Sequence, residues 1–378
     1  MSIILFCAFA IECRICNEGF GFEAMVSILY REVPFYKRIR SITCDTALWR
    51  ANNKPPVELV VINICTKKTR KRDVTMQVFI EKVIKKLNYH HLLNWLSDTT
   101  YLKLMYWASM HKRLNLKEPK TFNEKLQWLK LNNRNSEYTR MVDKYEAKKY
   151  VADRIGEQYI IPTLGVWNQF EEINFDALPN QFVLKCTHDS GGLVICRNKK
   201  ELDLNLTKEK IERSMSANYY YNGREWPYKN VKHRILAEEY MENGKEGLHD
   251  YKIWCFDGEP EYIQYITGRI GKVTYEKFYD KNWVAQSFSY HNPILKNDVE
   301  CPKQLGKMLD LARKLAKDCP FLRVDFYLLN DGEIKFGELT FYPMSGFEKW
   351  HPEEMGNKLG KMLTIAQTKR VGGGAVNG

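Results

Sequence analysis

No uninterrupted apolar run in this chain approaches the roughly 20 residues that a membrane-spanning helix needs, so nothing in it reads as a membrane span. The phosphate loops with fixed signatures are missing too. Neither GxxxxGK[ST] nor GxGxxG occurs, which excludes a Walker-type loop and a dinucleotide-binding turn. A DxD triplet is absent, so no support exists for a sugar-nucleotide transferase. Zinc-finger spacing, an RNA-binding signature and a basic region with heptads are also lacking, which ranks nucleic acid below nucleotide as a partner. No Ser-His-Asp or Cys-His arrangement stands in a recognisable frame. Five of the ten cysteines (Cys7, Cys13, Cys16, Cys44, Cys65) lie in the first 65 residues, and only Cys13 and Cys16 have metal-like spacing. Without a second pair they read as reduced thiols rather than a zinc site. Residues 1–11 are apolar but carry no basic leader, and Glu12 interrupts them before a cleavage site, so no signal peptide is read and a cytoplasmic location is expected.

What is present is an ordinary globular composition, 44% hydrophobic and 28% charged over 378 residues, with a formal net charge of +12. That charge favours an anionic partner without choosing among nucleotide, acidic sugar and anionic surface. The stretch that organises the chain is 323–340, where two apolar runs meet at Asn330-Asp331-Gly332. An Asp-Gly pair between β-type segments predicts a hairpin. Counted outward from the turn, Asp325 and Glu338 fall near the same end of the paired strands and suit a divalent cation. Mg²⁺ takes one or two carboxylates and completes its octahedron with phosphate oxygens and water. Arg323 shares the strand face of Asp325 and is placed to reach phosphates. The alternative is a strand pair with surface carboxylates.

Before this hairpin, residues 1–75 show no sustained period apart from a strand-like run at 57–64. From Met76 a basic amphipathic helix is predicted near 76–90, able to pack on its neighbour or to rest peripherally on an anionic membrane. Thr121-Phe122-Asn123-Glu124 reads as a helix start. One helix is expected over 142–151, then extended runs at 160–167, 182–185 and 193–196. Lys185 at a strand end beside Ser190-Gly191-Gly192 offers an ammonium and backbone N–H groups to a phosphate, or else marks a plain hairpin turn. Strands are further predicted at 250–256 and 261–266 around Asp257-Gly258, with helices at 305–317 and about 352–365.

These segments, in this order, resemble the TupA-like ATP-grasp family found with polysaccharide-biosynthesis genes. The likeness runs from about Met76 to Ile365 and is densest at 120–128, 142–145, 182–185, 223–226, 237–240 and 337–341. It implies an α+β, ATP-grasp fold in which two α+β subdomains clasp ATP, preceded by a helical N-terminal segment. The expected divisions are a poorly structured leader (1–75, an over-extended reading frame), a helical segment (76–141), subdomain 1 (142–241), subdomain 2 with the metal site (242–370) and a disordered tail (371–378). By resemblance, Lys144 and Lys185 hold the phosphates, and His188, Ser190, Gly191 and Gly192 belong to the lid. Glu238, Glu239 and Met241 hold adenine, and Glu242 or Glu246 the ribose. Arg323 serves the phosphates, while Asp325, Glu338 and Thr340 take Mg²⁺. Thr340 stands where the family commonly has Asn.

The activity implied is an ATP-dependent carboxylate–amine ligase acting through an acyl phosphate, on a uronic acid or amino-acid carboxylate of a surface glycan or its precursor. The alternatives are a phosphotransferase, a glycosyltransferase or a non-catalytic glycan-binding module. Finally, residues 218–226 place four aromatics and Arg224 around one glycine. Arg224 is therefore expected to cradle a glycan carboxylate, the competing reading being that the tyrosines simply pack one part of the chain on another.

Overall fold

A computed structural model describes residues 74–243, 247–268 and 273–365. The strand-like run at 57–64, the Cys13/Cys16 pair, Glu246 and the tail lie outside the described residues. Contacts divide the chain into two units, Met1–Val78 and Phe79–Gly378, and the architecture below is that of the second.

Helix α1 (Val74–Tyr89), whose first five residues belong to the first unit, is followed by α2 (Asp98–Met110), whose N-cap Ser97 hydroxyl accepts from the Thr100 N–H. Helix α3 (Phe122–Asn132) begins at the predicted place. The Thr121 hydroxyl accepts from Glu124 N–H and the Glu124 carboxylate accepts from Thr121 N–H, a reciprocal capping box. Phe122 and Leu126 on this helix are buried in the main core. Asn123, Gln127 and Lys130, spaced by four and three residues, share a helix stripe that holds the turn at 343–348. Asn123 donates to the Gly346 and Glu348 carbonyls, Gln127 to Ser345 and Gly346, and Lys130 to Gly223 (2.7 Å) and Ser345 (2.8 Å).

The helix expected over 142–151 starts later, as α5 (Glu146–Ile155), and a separate short helix, α4 (Glu137–Val142), ends where it was expected to begin. The cause is Asp143. It leaves the helical region (φ −69°, ψ 113°), and its carboxylate accepts from the Tyr145 and Glu146 N–H groups, capping the second helix and ending the first. Arg234 locks the break by pairing with Asp143 (2.6 Å) and Glu146 (3.0 Å).

Two antiparallel sheets follow. The four-stranded one contains β1 (Thr163–Trp167), β2 (Phe182–Cys186), β3 (Leu193–Cys196) and β4 (Ile235–Glu239) in the order β1-β4-β2-β3. Its small core is Phe182, Leu184, Ile235 and Ile211, the last from α6 (Leu204–Met215), a helix that the sequence analysis did not foresee. The five-stranded sheet contains β5 (His249–Phe256), β6 (Glu259–Thr267), β7 (Tyr275–Asp280), β8 (Phe321–Leu328) and β9 (Ile334–Thr340) in the order β7-β6-β5-β8-β9. Strand β7 was also missed. Asp257 (φ 48°) and Gly258 (φ 85°) make the tight β5–β6 turn, and Gly332 (φ 89°) the β8–β9 turn, both as expected from their Asp-Gly pairs. Helices α7 (Leu305–Ala316) and α8 (Met355–Met362) complete a larger core, where Phe122, Trp254, Phe321 and Trp350 pack ring on ring at 5.0–6.0 Å. The fold is α+β, as expected.

Candidate active site

A cleft of about 240 Å³ opens between residues of the two sheets. From the five-stranded sheet come Lys252, Asp325 and Glu338; from the other side come Lys144, Lys148, Lys185 and Glu238. Register explains the first group. Lys252 on β5 stands opposite Asp325 on β8, which stands opposite Glu338 on β9, so three charged residues form one row across three strands. The hairpin thus aligns Asp325 with Glu338 as counted from its turn. A bulge follows this pair, and a Cβ at Gly337 would lie 3.1 Å from the Asp325 carbonyl, so the close approach of the strands favours glycine there.

Asp325 is buried. Arg323 grips it with two nitrogens, Nε to Oδ1 (2.7 Å) and Nη2 to Oδ2 (2.8 Å), and Lys252 Nζ also donates to Oδ2. Burial alone would raise the carboxyl, but Arg323 and Lys252 overrule it and hold Asp325 below the usual carboxylate range. Arg323 Nη2 reaches Glu338 (2.9 Å) and the Thr340 hydroxyl (3.0 Å) as well. Arg323 itself lines a second cavity and not the cleft, and its in-strand fork binds Asp325. Lys252 was not anticipated; a lysine among Tyr251, Ile253, Trp254, Cys255 and Phe256 was the signal.

On the opposite wall, Glu238 on β4 is the buried centre. Lys148 (2.6 Å) and Lys185 both pair with it. Desolvation would raise Glu238, yet the Lys185 and Lys148 ammoniums hold it low. The Glu238 carboxylate, expected at the adenine, is paired with two cations here. Glu239 is exposed, its N–H bonds the Pro162 carbonyl, and Glu242 accepts from the Tyr240 hydroxyl; neither these residues nor Met241 lines the cleft. Lys148 is the second cation that the sequence reading missed.

The 188–192 loop is divided in its roles. Asp189, Ser190 and Gly192 line the cleft. Lys144 donates to the backbone carbonyls of Cys186 (3.2 Å) and Asp189, pinning the loop's base, and its burial lowers the ammonium's pKa. The Asp189 carboxylate accepts from Gly192 N–H and the Ser214 hydroxyl. His188 points away: its ring stacks on His233 at 3.6 Å, and Nε2 meets the Ser214 and Ala217 carbonyls, so it anchors the loop and does not cover the cleft.

Arg224 is not a glycan cradle. It is 2% exposed, donates to the carbonyls of Leu93, Asn94 and Leu96, and lies over the rings of Tyr101, Tyr220 and Tyr221. Packing is what the segment does, and the arginine fork satisfies three carbonyls between α1 and α2.

The sequence matches the TupA-like ATPgrasp description over residues 124–364. The chain belongs to the TupA-like ATP-grasp family. No curated protein matches it in sequence. Among solved structures, this TupA-like chain is similar to the ATP-grasp ligase PsnB complexed with a phosphomimetic variant of its minimal precursor, Mg and ADP, at 14% identity and TM-score 0.36, covering 65% of each chain. It is similar also to D-alanine–D-alanine ligase from Bacillus anthracis complexed with ATP, at 20% identity and TM-score 0.34, covering 53% of this chain and 55% of the other. The biotin carboxylase domain of Hydrogenobacter thermophilus 2-oxoglutarate carboxylase, in complex with MgADP, ADP and bicarbonate, matches at 18% identity and TM-score 0.30, covering 53% and 40%. The TupA-like chain thus spans between two fifths and two thirds of these proteins' length.

Among the described residues no group of three or more His, Cys, Asp or Glu is arranged to hold a metal, and no helix is long and apolar enough to cross a membrane. The donor set at the row is two carboxylates, while the Thr340 hydroxyl stands opposite Arg323 and outside the cleft lining. Such a set suits Mg²⁺ bound jointly with phosphate oxygens and does not make an all-protein cage.

Proposed function

We propose that this TupA-like ATP-grasp protein is an ATP- and Mg²⁺-dependent carboxylate–amine ligase of the cytoplasm, acting on a glycan or its precursor. The observation that carries the reading is the cleft itself, with Asp325 and Glu338 on one wall and Lys144 and Lys185 on the other. Asp325 and Glu338 would hold Mg²⁺, which supplies charge neutralisation at the phosphates.

The chain's own residues then position and balance charge. Lys185 leaves Glu238 to meet the phosphates, and Lys148 keeps Glu238 neutralised when it does. Lys252 and the Asp189–Gly192 turn complete a cationic and N–H-rich surround for the phosphoryl group. In the reaction a carboxylate oxygen of the acceptor bonds the γ-phosphorus as the bond to ADP breaks. The amine nitrogen then attacks the acyl carbon, the phosphate leaves with the oxygen that carried it, and the amine's proton passes to solvent.

A mass-spectrometric screen of uronic acids and amino acids with candidate amines, ATP and Mg²⁺ tests this. Expected are an amide product and ADP release that needs both partners, lost in Asp325→Asn and Glu338→Gln. ADP release that needs the carboxylate but not the amine would replace the ligase with a phosphotransferase; unchanged turnover in both variants removes the proposed site.

A further inference from the structure

The charged row of the cleft is short of metal ligands. Lys252, Asp325 and Glu338 stand opposite one another on three adjacent strands, and all three line the cleft. An ionised carboxylate offers about four lone-pair sites. Asp325 has three of them in use: Arg323 Nε donates to Oδ1, and Arg323 Nη2 and Lys252 Nζ both donate to Oδ2. Glu338 is the open member of the row. Its side chain is 44% exposed, and Arg323 Nη2 (2.9 Å) and the Thr340 hydroxyl (3.3 Å) both bond its Oε1. That hydroxyl gives its proton to Glu338 while accepting from Arg323 Nη2 (3.0 Å). What remains for a metal is one lone pair on Asp325 and the Oε2 end of Glu338.

This is enough for one Mg²⁺ and too little for two. A single ion takes one or two carboxylates and completes its octahedron with phosphate oxygens and water. Two ions working on one phosphoryl group sit about 3.5–4 Å apart, so the second needs an acid of its own or a carboxylate with both oxygens open. The other acids of the cleft are engaged on the far wall: Asp189 accepts from the Gly192 N–H and the Ser214 hydroxyl, and Glu238 is paired with Lys148 and Lys185.

A cation of the chain's own already stands at the row. Lys252 sits on β5, the central strand of its sheet, with its side chain 11% exposed. Gln264 on β6 stands opposite it on the other flank, and both ends of that amide are bound, Oε1 by Trp254 Nε1 (3.1 Å) and Nε2 to Glu276 (2.8 Å). The ammonium is therefore turned to Asp325, on the cleft wall. Arg323 and Lys252 bring two positive charges to a row with two negative ones. A second divalent ion sharing Asp325 would meet the Lys252 ammonium at close range, which like charges oppose.

We infer, on the nucleotide site of the ligase reading, that Lys252 is this site's second cation: ATP is held with a single Mg²⁺ at Asp325 and Glu338, and the lysine ammonium takes the place of a second ion. Charge at that place then belongs to the chain and does not vary with free Mg²⁺. Magnesium beyond what forms MgATP adds nothing to the site.

Counting ions tests this without any turnover. The full chain, saturated with a non-hydrolysable ATP analogue, is dialysed against rising Mn²⁺, a paramagnetic ion that accepts the same oxygen ligands as Mg²⁺, and bound Mn²⁺ per bound analogue is read together with the EPR spectrum. One Mn²⁺ per analogue, with no signal from a coupled ion pair, is expected of the wild type and of Lys252→Arg. Lys252→Gln, in which Arg323 still grips both oxygens of Asp325, is expected to take up a second, coupled ion. Thr340→Asn stays at one, since the ammonium is still in place. Two ions per analogue in the wild type or in Thr340→Asn overturn the inference, and so does a count that stays at one in Lys252→Gln; the first two counts stand whether or not Lys252→Gln folds. Failure of the wild type to bind the analogue at all strikes the ATP-dependent reading itself, whereas a wrong ion count with the analogue bound leaves that reading standing.

Discussion

The two walls of the cleft carry the same device in different materials. Each has one buried carboxylate between two cations: Glu238 with Lys148 and Lys185, and Asp325 with Arg323 and Lys252. Flexible lysine stems serve Glu238, and Lys185 keeps the most solvent contact of the four cations, 20% exposed against 11–12% for Lys148, Lys252 and Arg323. At Asp325 a planar fork from the same strand binds two oxygens at once. A lysine can turn from its partner at small cost, while a fork packed in a sheet cannot. The Glu238 wall is thus suited to releasing a cation to an incoming anion, and the Asp325 wall to keeping a fixed shape against which that anion is placed.

Breaking the fork should have the largest effect. In Asp325→Asn one carboxylate oxygen becomes an NH₂ facing a guanidinium that cannot move, and about 3–5 kcal/mol of stability is expected to go, the range for removing one partner of a buried ion pair. Glu238→Gln should cost only about 1–2 kcal/mol, because Lys148 retains the Ile161 carbonyl (2.5 Å) and Lys185 can rotate toward solvent. Urea unfolding of the two variants decides the matter; equal losses, or the reverse order, would remove the distinction between the walls.

The next effect is in binding. Lys185→Ala should weaken a non-hydrolysable ATP analogue about tenfold, Lys185→Arg less, since a cation is then still near the phosphates. Lys148→Ala should weaken it less than Lys185→Ala does, because Lys148 is tied to both Glu238 and Ile161. Calorimetry showing the same affinity in wild type and Lys185→Ala would mean that the mobile wall does not release its cation to the nucleotide.

The fixed wall was the more legible of the two. A turn signal and period-2 alternation are local properties, so Asn330-Asp331-Gly332 was enough to pair Asp325 with Glu338 before any tertiary contact was known. Lys252 was hidden because its partner is on a strand more than 70 positions away (Lys252 to Asp325), and sequence pattern carries no register between distant strands. Asp143 misled in the opposite direction. Its neighbours favour helix, and only the bond from its side chain to the following N–H groups, with Arg234 clamped from β4's approach, delays the helix and frees Lys144 to face the loop. Arg224 shows a third kind of miss: aromatic clustering around an arginine is the same signal for a ligand cradle and for a buried clamp, and burial alone separates them. The family motif at 120–128 was recognisable as sequence, but its task of holding the 343–348 turn needed the fold.

The smallest expected effect sharpens the comparison through pH. Burial pushes both carboxyls upward, and the paired cations more than reverse it, leaving Asp325 and Glu238 below the ordinary carboxylate range. A group with a depressed folded pKa binds protons more weakly folded than unfolded. Its stabilisation is complete above the unfolded value, near about 4, and is lost as the pH falls through the folded value. Wild-type stability should therefore decline below about pH 4, and each amide variant should decline less, having already lost one such group. Comparing urea midpoints at about pH 6 and pH 3.5 measures this directly. A Glu238→Gln drop as large as that of wild type would show that its two lysines do not hold the carboxylate ionised in the folded chain, and that the mobile wall is already open before any nucleotide arrives.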